Sequence, residues 1–243
     1  MSGLMRLEAY NSSDSSSSES EEETEKRKFG RLPIPEVFHK STNENSPVRE
    51  QNSDGKIRNF PHERGIWATY VYLPVTPFYE FTEYTDRLKL FFEPLELKLV
   101  DDFHISLTKT VILKHHWIEG FTEMIRRSLV DVKEFNLCMS GLKVYVNEHK
   151  TRTFVSLKVA EGTDELSSIV NQLDICLREY NLETFYTDPS FHMSLLWCSG
   201  DRVKEINEAI HGLSQKLKNF NFTINFSYCD CTSGNKHFRF YFR

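Results

Sequence analysis

Two five-residue stretches constrain this chain more than any other feature. FHISL spans residues 103–107 and FHMSL spans residues 191–195. Each carries a His and a Ser two positions apart. The histidines, His104 and His192, are 88 residues apart (192 − 104). The same offset relates much of the rest of the chain. The spacing predicts a strand over 66–73, a helix from Thr76 as N-cap through the following apolar run, a strand over 97–109, a helix over 116–130 and a strand over 135–146. It then predicts a strand over 154–159, a helix over 164–180, a strand over 190–198, a helix over 203–217, a strand over 222–228 and a last strand over 237–242. Moving the first set forward by 88 lands it on the second, with the strand over 135–146 falling on the strand over 222–228 and the turn after it. A pentapeptide recurs by chance; a pentapeptide inside a repeated order of elements points to duplication. The expected fold is α+β: two pseudo-symmetric lobes, each an antiparallel sheet flanked by helices, with the active-site cleft between them. The lobe-forming repeats are about 66–147 and 154–242.

The region before the repeats differs in kind. NSSDSSSSESEEETEK is serine and acid without core-forming residues, so residues 1–57 are expected to be a disordered tail and 58–243 a single bilobal domain. Lys26, Arg27, Lys28 and Arg31 form a short basic cluster of the kind that serves as a nuclear import signal. The net charge of −5 rules out a general nucleic-acid trap but not a local basic groove. Five cysteines in no disulfide or zinc spacing indicate a reducing compartment. No apolar run is long enough to span a membrane. Cys229 and Cys231 read as alternate positions on a strand.

Alternation on a strand gives the two motifs their chemistry. Phe103, Ile105 and Leu107 face one way, with His104, Ser106 and Thr108 facing the other. Met193 and Leu195 likewise oppose His192 and Ser194. Pseudo-symmetry brings two imidazoles and two hydroxyls around one point. One imidazole takes a proton from an attacking oxygen and the other protonates a leaving oxygen, the division of labour that phosphodiester cleavage needs near neutral pH. The hydroxyls donate to the non-bridging phosphate oxygens. Such a scheme requires no metal or other cofactor. The bland alternative is that each His is a satisfied polar residue on a half-exposed strand. His237, Arg239 and Tyr241 share one face of the last strand, as contacts to a bound substrate or as a solvated face.

Paired H-x-[ST] motifs on duplicated lobes resemble the 2H phosphoesterase superfamily. The flanking stretches FPHERGIWATYVYLP and ETFYTDPSFHMSLLWCSGD are similar to the U6 small nuclear RNA phosphodiesterases, which are 3′-end processing exoribonucleases. The resemblance runs from about Arg58 onward. It implies a monomeric nuclear enzyme with RNA, the 3′ end of U6 small nuclear RNA, as its partner. That enzyme trims terminal uridines and adenosines by attack of the 2′-OH, leaving a cyclic phosphate or a 3′-phosphate. Carried over, His192 is the general base, His104 the general acid, and Ser106 and Ser194 hold the phosphate. Tyr186 matches the family tyrosine that stacks near the terminal base; plain loop packing is its alternative. A cyclic phosphodiesterase acting on small or tRNA-derived substrates uses the same motifs, and a non-catalytic RNA-binding module is the reading from another class.

Overall fold

The computed structural model describes residues 65–243. The acidic tail over 1–57, its basic cluster and most of the Pro61–Gly65 entry turn lie outside the described residues. Among the described residues, ten strands and five α-helices follow in chain order: β1 (Ile66–Pro74), α1 (Tyr79–Phe91), β2 (Lys98–Leu99), β3 (His104–Ser106), β4 (Val111–Lys114), α2 (Ile118–Ser128), β5 (Phe135–Val146), β6 (Arg152–Glu161), α3 (Thr163–Glu179), β7 (His192–Ser199), α4 (Val203–His211), α5 (Gln215–Lys218), β8 (Asn221–Phe226), β9 (Tyr228–Ser233) and β10 (Lys236–Tyr241). No helix among the described residues is long and apolar enough to cross a membrane.

Local pattern explains most of these elements. Helix α2 buries Ile118, Phe121, Thr122 and Ile125, the i, i+3, i+4, i+7 stripe of a helix lying on a sheet. In α3, Leu166, Ile169, Val170, Leu173 and Leu177, which recur at helical spacing, are all buried. Several elements differ from the sequence expectation: the strand expected over 97–109 is two short strands, β2 and β3, and β4 falls where no element is expected. Helix α1 starts at Tyr79 after Phe78, which has no side-chain cap, so Thr76 is not the N-cap. The helix expected over 203–217 breaks after His211, and Ser214 caps the short α5 by accepting from the Leu217 N–H.

All the strands join one sheet, in the order β10-β9-β1-β3-β7-β6-β5-β8, with β2 beside β7 and β4 beside β1. Every pairing is antiparallel. The halves meet at β3 and β7, where Ile105 is paired with Met193. This α+β arrangement matches the expected class, with one correction to its assembly. The repeats do not each build their own half. Strand β5 of the first repeat pairs with β6 of the second, and β9 of the second pairs with β1 of the first. Strands β5 and β6 are consecutive, joined by residues 147–151, whereas β9 reaches β1 from the far end of the chain; which of these edges meet is a property that periodicity does not encode.

The offset also changes along the chain. Register makes Leu73, opposite Ile105, equivalent to Leu157, opposite Met193, so the opening strands are related by 84 residues (157 − 73) rather than 88. Helix α3 begins 84 positions after α1 (163 − 79) and ends 88 after it (179 − 91). The four extra residues therefore form one added helical turn. Four residues are close to the 3.6 of a turn, so the buried stripe passes through unbroken.

Candidate active site

Ile105 and Met193 are fully buried, and they are 88 residues apart, the motif offset itself. A pseudo-two-fold axis therefore runs between them, normal to the sheet. Continuing the antiparallel register from this pair sets His104 opposite Ser194 and Ser106 opposite His192. All four side chains are half-buried on the face away from the core. The structure thus brings the four polar motif residues together, each histidine across from the serine of the other repeat.

The two imidazoles are held in the same way. His104 donates from Nδ1 to the Asp102 carbonyl at 3.1 Å, and His192 donates from Nδ1 to the Ser190 carbonyl at 2.7 Å. A carbonyl only accepts, so the proton of each neutral ring sits on Nδ1. Each Nε2 then carries the lone pair and is the atom left to exchange protons.

Electrostatics break the symmetry. Burial pushes both imidazoles below the ordinary histidine value, against the opposing effect of the backbone hydrogen bond. The Asp102 carboxylate also raises His104, whereas Lys143 and His104 lower His192 further. The neighbouring charges favour protonation of His104 and the neutral form of His192.

Packing is asymmetric as well. Tyr145 lies flat on His192, with centroids 3.8 Å apart and planes at 14°. Its hydroxyl is 2.8 Å from the Ser190 hydroxyl, and Lys143 Nζ donates to the same oxygen at 3.4 Å. The base candidate is thus gripped on one face and along one edge. His104 instead meets the edge of Tyr72 at 5.4 Å and 66°. Ser194 has a buried hydroxyl partner, Ser156, at 3.3 Å, while Ser106 has Tyr72 across the strand. Lys143, Tyr145, Ser156 and Tyr72 escape a reading of motifs. The alternation of Lys143 and Tyr145 along a strand was visible, but only the strand exchange puts β5 beside His192.

The other sequence candidates have partners of their own. Thr108 is buried, and its hydroxyl accepts from the Val71 N–H at 2.9 Å, so its role is to anchor the chain after β3. Cys229 and Cys231 are buried in β9, where burial pushes the Cys231 thiol up to about 12. Tyr186 lies in the α3–β7 loop with 48 % of its surface exposed, Phe185 beside it and the Lys109 ammonium 4.7 Å from its ring centre. Lys109 is itself tied to Glu148 and Glu183. The buried Asp174 carboxylate accepts from the Phe185 N–H at 2.9 Å, fixing the loop just before Tyr186. Among the described residues no group of three or more His, Cys, Asp or Glu is arranged to hold a metal ion.

Residues 32–241 match the HVSL family, described as an uncharacterised conserved protein. U6 snRNA phosphodiesterase 1 of Danio rerio is 38% identical over 221 residues, covering 86% of this chain and 80% of that one. The Xenopus laevis protein of the same name is 36% identical over 246 residues, covering 96% of this chain and 98% of its own. Among solved structures, Kluyveromyces marxianus Usb1 superposes with a TM-score of 0.53 at 13% identity, covering 73% of this chain and 98% of that one. Apo E. coli LigT gives 0.50 at 12% identity, covering 74% and 96%. At such identities the structures speak for the fold, and the sequence relatives speak for the family. The chain belongs to the U6 snRNA phosphodiesterase family and has the 2H phosphoesterase fold.

Proposed function

We propose that this protein is a 3′-5′ RNA exonuclease that trims terminal uridines or adenosines from U6 small nuclear RNA in the nucleus, with His192 as general base and His104 as general acid. The observation that carries the reading is the pair of imidazoles, related by the pseudo-two-fold and each pinned through Nδ1 to a backbone carbonyl. Two Nε2 atoms then serve one phosphodiester.

His192 Nε2 takes the proton of the 2′-OH on the penultimate nucleotide. The 2′-oxygen attacks the adjacent phosphorus, and the bond to the 5′-oxygen of the terminal nucleoside breaks. His104 Nε2–H protonates that leaving oxygen. The products are a shortened RNA with a 2′,3′-cyclic phosphate and a free nucleoside. Ser106 and Ser194 donate to the non-bridging oxygens as charge builds there. Lys143 beside His192 and Asp102 beside His104 support this assignment of base and acid. Tyr186 supplies an exposed aromatic face for the terminal base, and stacking of that kind tolerates either nucleobase. All of these groups come from one chain, so a monomer carries a whole site.

The test is trimming of a 5′-labelled RNA ending in several uridines, in excess chelator. A parallel RNA carries a 2′-deoxy sugar at the penultimate position. A shortening ladder on the first and none on the second is expected. Equal trimming of both would remove 2′-OH attack, and strict dependence on a divalent ion would remove the two-imidazole scheme.

A further inference from the structure

We infer that the strand face running from Ser106 across β1, β9 and β10 is a track for single-stranded RNA on the 5′ side of the scissile phosphate; this rests on the exonuclease reading above. Register places a single row of side chains on the site face. Ser106 is paired with Tyr72, Tyr72 with Asp230, and Asp230 with Arg239. A second row beside it runs Tyr70, Thr232, His237. Strands lie about 4.8 Å apart, so Arg239 is roughly 14 Å from the phosphate-holding serine.

What lines this face is planar and held in place. Arg239 donates from Nε and Nη2 to the two Asp230 oxygens, at 2.8 and 2.9 Å. That fork fixes the guanidinium 3.9 Å over the Tyr228 ring. Tyr241 follows at 5.9 Å from Tyr228, with 70% of its surface exposed. In the second row the Thr232 hydroxyl links the Tyr72 hydroxyl, at 3.3 Å, to His237 Nδ1, at 3.1 Å. The apolar residues of β10, Phe240 among them, point to the core instead. Aromatic and guanidinium planes on an open sheet suit the faces of unpaired bases, whatever their identity. An exonuclease leaves one nucleoside on the leaving side. A row reaching three strands beyond Ser106 is therefore filled only by the RNA 5′ to the cut.

The experiment compares the full chain with Tyr241→Ala and with Arg239→Gln/Tyr241→Ala; the glutamine amide of the double variant keeps a donor for Asp230. Two substrates are used, a uridine dinucleotide that reaches the phosphate site alone and an oligouridine of about eight nucleotides. A fluorescent oligouridine with a penultimate 2′-deoxy sugar reports binding without cleavage. The expected result is an unchanged dinucleotide rate with KM and Kd for the longer RNA raised roughly tenfold, the size of one lost base–aromatic stack. Unchanged values on the longer RNA overturn the track, and so does an equal loss on both substrates, which marks a structural role. If the unaltered protein cleaves neither substrate, the exonuclease reading fails. The binding arm then decides the track: a roughly tenfold weaker Kd in the variants upholds an RNA surface, and an equal Kd overturns it.

Discussion

Ile105 and Met193 face each other across β3 and β7, separated in sequence by the interval that separates the two catalytic histidine candidates. The pair marks where the two repeats meet and sets the positions of all four polar groups on the opposite face. Truncation there should therefore cost stability and alignment together. Ile105→Ala removes a fully buried side chain and is expected to destabilise by about 2–5 kcal/mol, against about 0.5–1.5 for Ile105→Val. Urea denaturation measures both. An Ile105→Ala loss no larger than that of the Val variant would show that the junction is not tightly packed.

Removing either imidazole should nearly stop trimming. A general acid or base contributes about 10²–10⁴ in rate. His104→Ala and His192→Ala are each expected to fall in that range in single-turnover assays. The double variant should lose much less than the product of the two, because the pair acts as a unit. RNA binding by the double variant should persist, and continued trimming by it would end the mechanism.

The pH profile should carry the signs of the neighbouring charges. The base works deprotonated and the acid protonated, so kcat/KM is bell-shaped and reports the free enzyme. Burial lowers both histidines, which places the bell on the acid side of the usual histidine value. Lys143→Met removes a cation that lowers His192. The His192 value then rises, and the acidic limb moves to higher pH. Asp102→Asn removes an anion that raises His104, so the basic limb moves to lower pH. If Lys143→Met moved the basic limb instead, and Asp102→Asn the acidic limb, the two roles would be exchanged.

Tyr145 should act through the orientation of His192. Tyr145→Phe keeps the stacked face and loses the bond to Ser190, a change of about 1 kcal/mol at most in holding the ring. Tyr145→Leu loses the flat contact, and kcat is expected to drop by roughly tenfold or more with KM little changed, since misplacement harms the reacting geometry. Nitrogen-15 spectra of His192 would report whether the Nδ1–H form is still fixed. A rise in KM with kcat unchanged would argue against positioning.

Gly162 should tolerate no side chain. It sits at φ 90°, and a Cβ there would come 2.4 Å from Leu137 Cδ2 and 2.7 Å from the Asn136 carbonyl oxygen. The clash involves backbone of β5, which cannot swing aside. Gly162→Ala is expected to lower the thermal midpoint by several degrees, in line with about 1–3 kcal/mol of backbone strain. An unchanged melt would mean that the β6–α3 turn adjusts freely.

Much of the site was legible before any coordinates. His104, Ser106, His192 and Ser194 stand out because alternation on a strand is a two-residue rule and duplication repeats it. The helical stripes of α2 and α3 were readable for the same reason. The added turn of α3 was not, because four residues preserve a helical stripe and leave no mark in the pattern. Alternation put Thr108 on the polar face with His104 and Ser106, yet its hydroxyl is spent on the Val71 N–H, a partner 37 positions away.

Repetition and alternation are local, so the chain's own order was enough to reveal two matched motifs and which side chains within each share a face. Which strand lies beside which is a contest among distant edges, and only the folded sheet resolves it. Pairing of β6 with β7 carried the β5–β6 hairpin to the site, and with it Lys143 and Tyr145 to His192; pairing of β9 with β1 brought Asp230 and Arg239 to the row that begins at Ser106. The two imidazoles are equivalent by sequence. They become unlike through the charges and rings that non-local pairing sets against them.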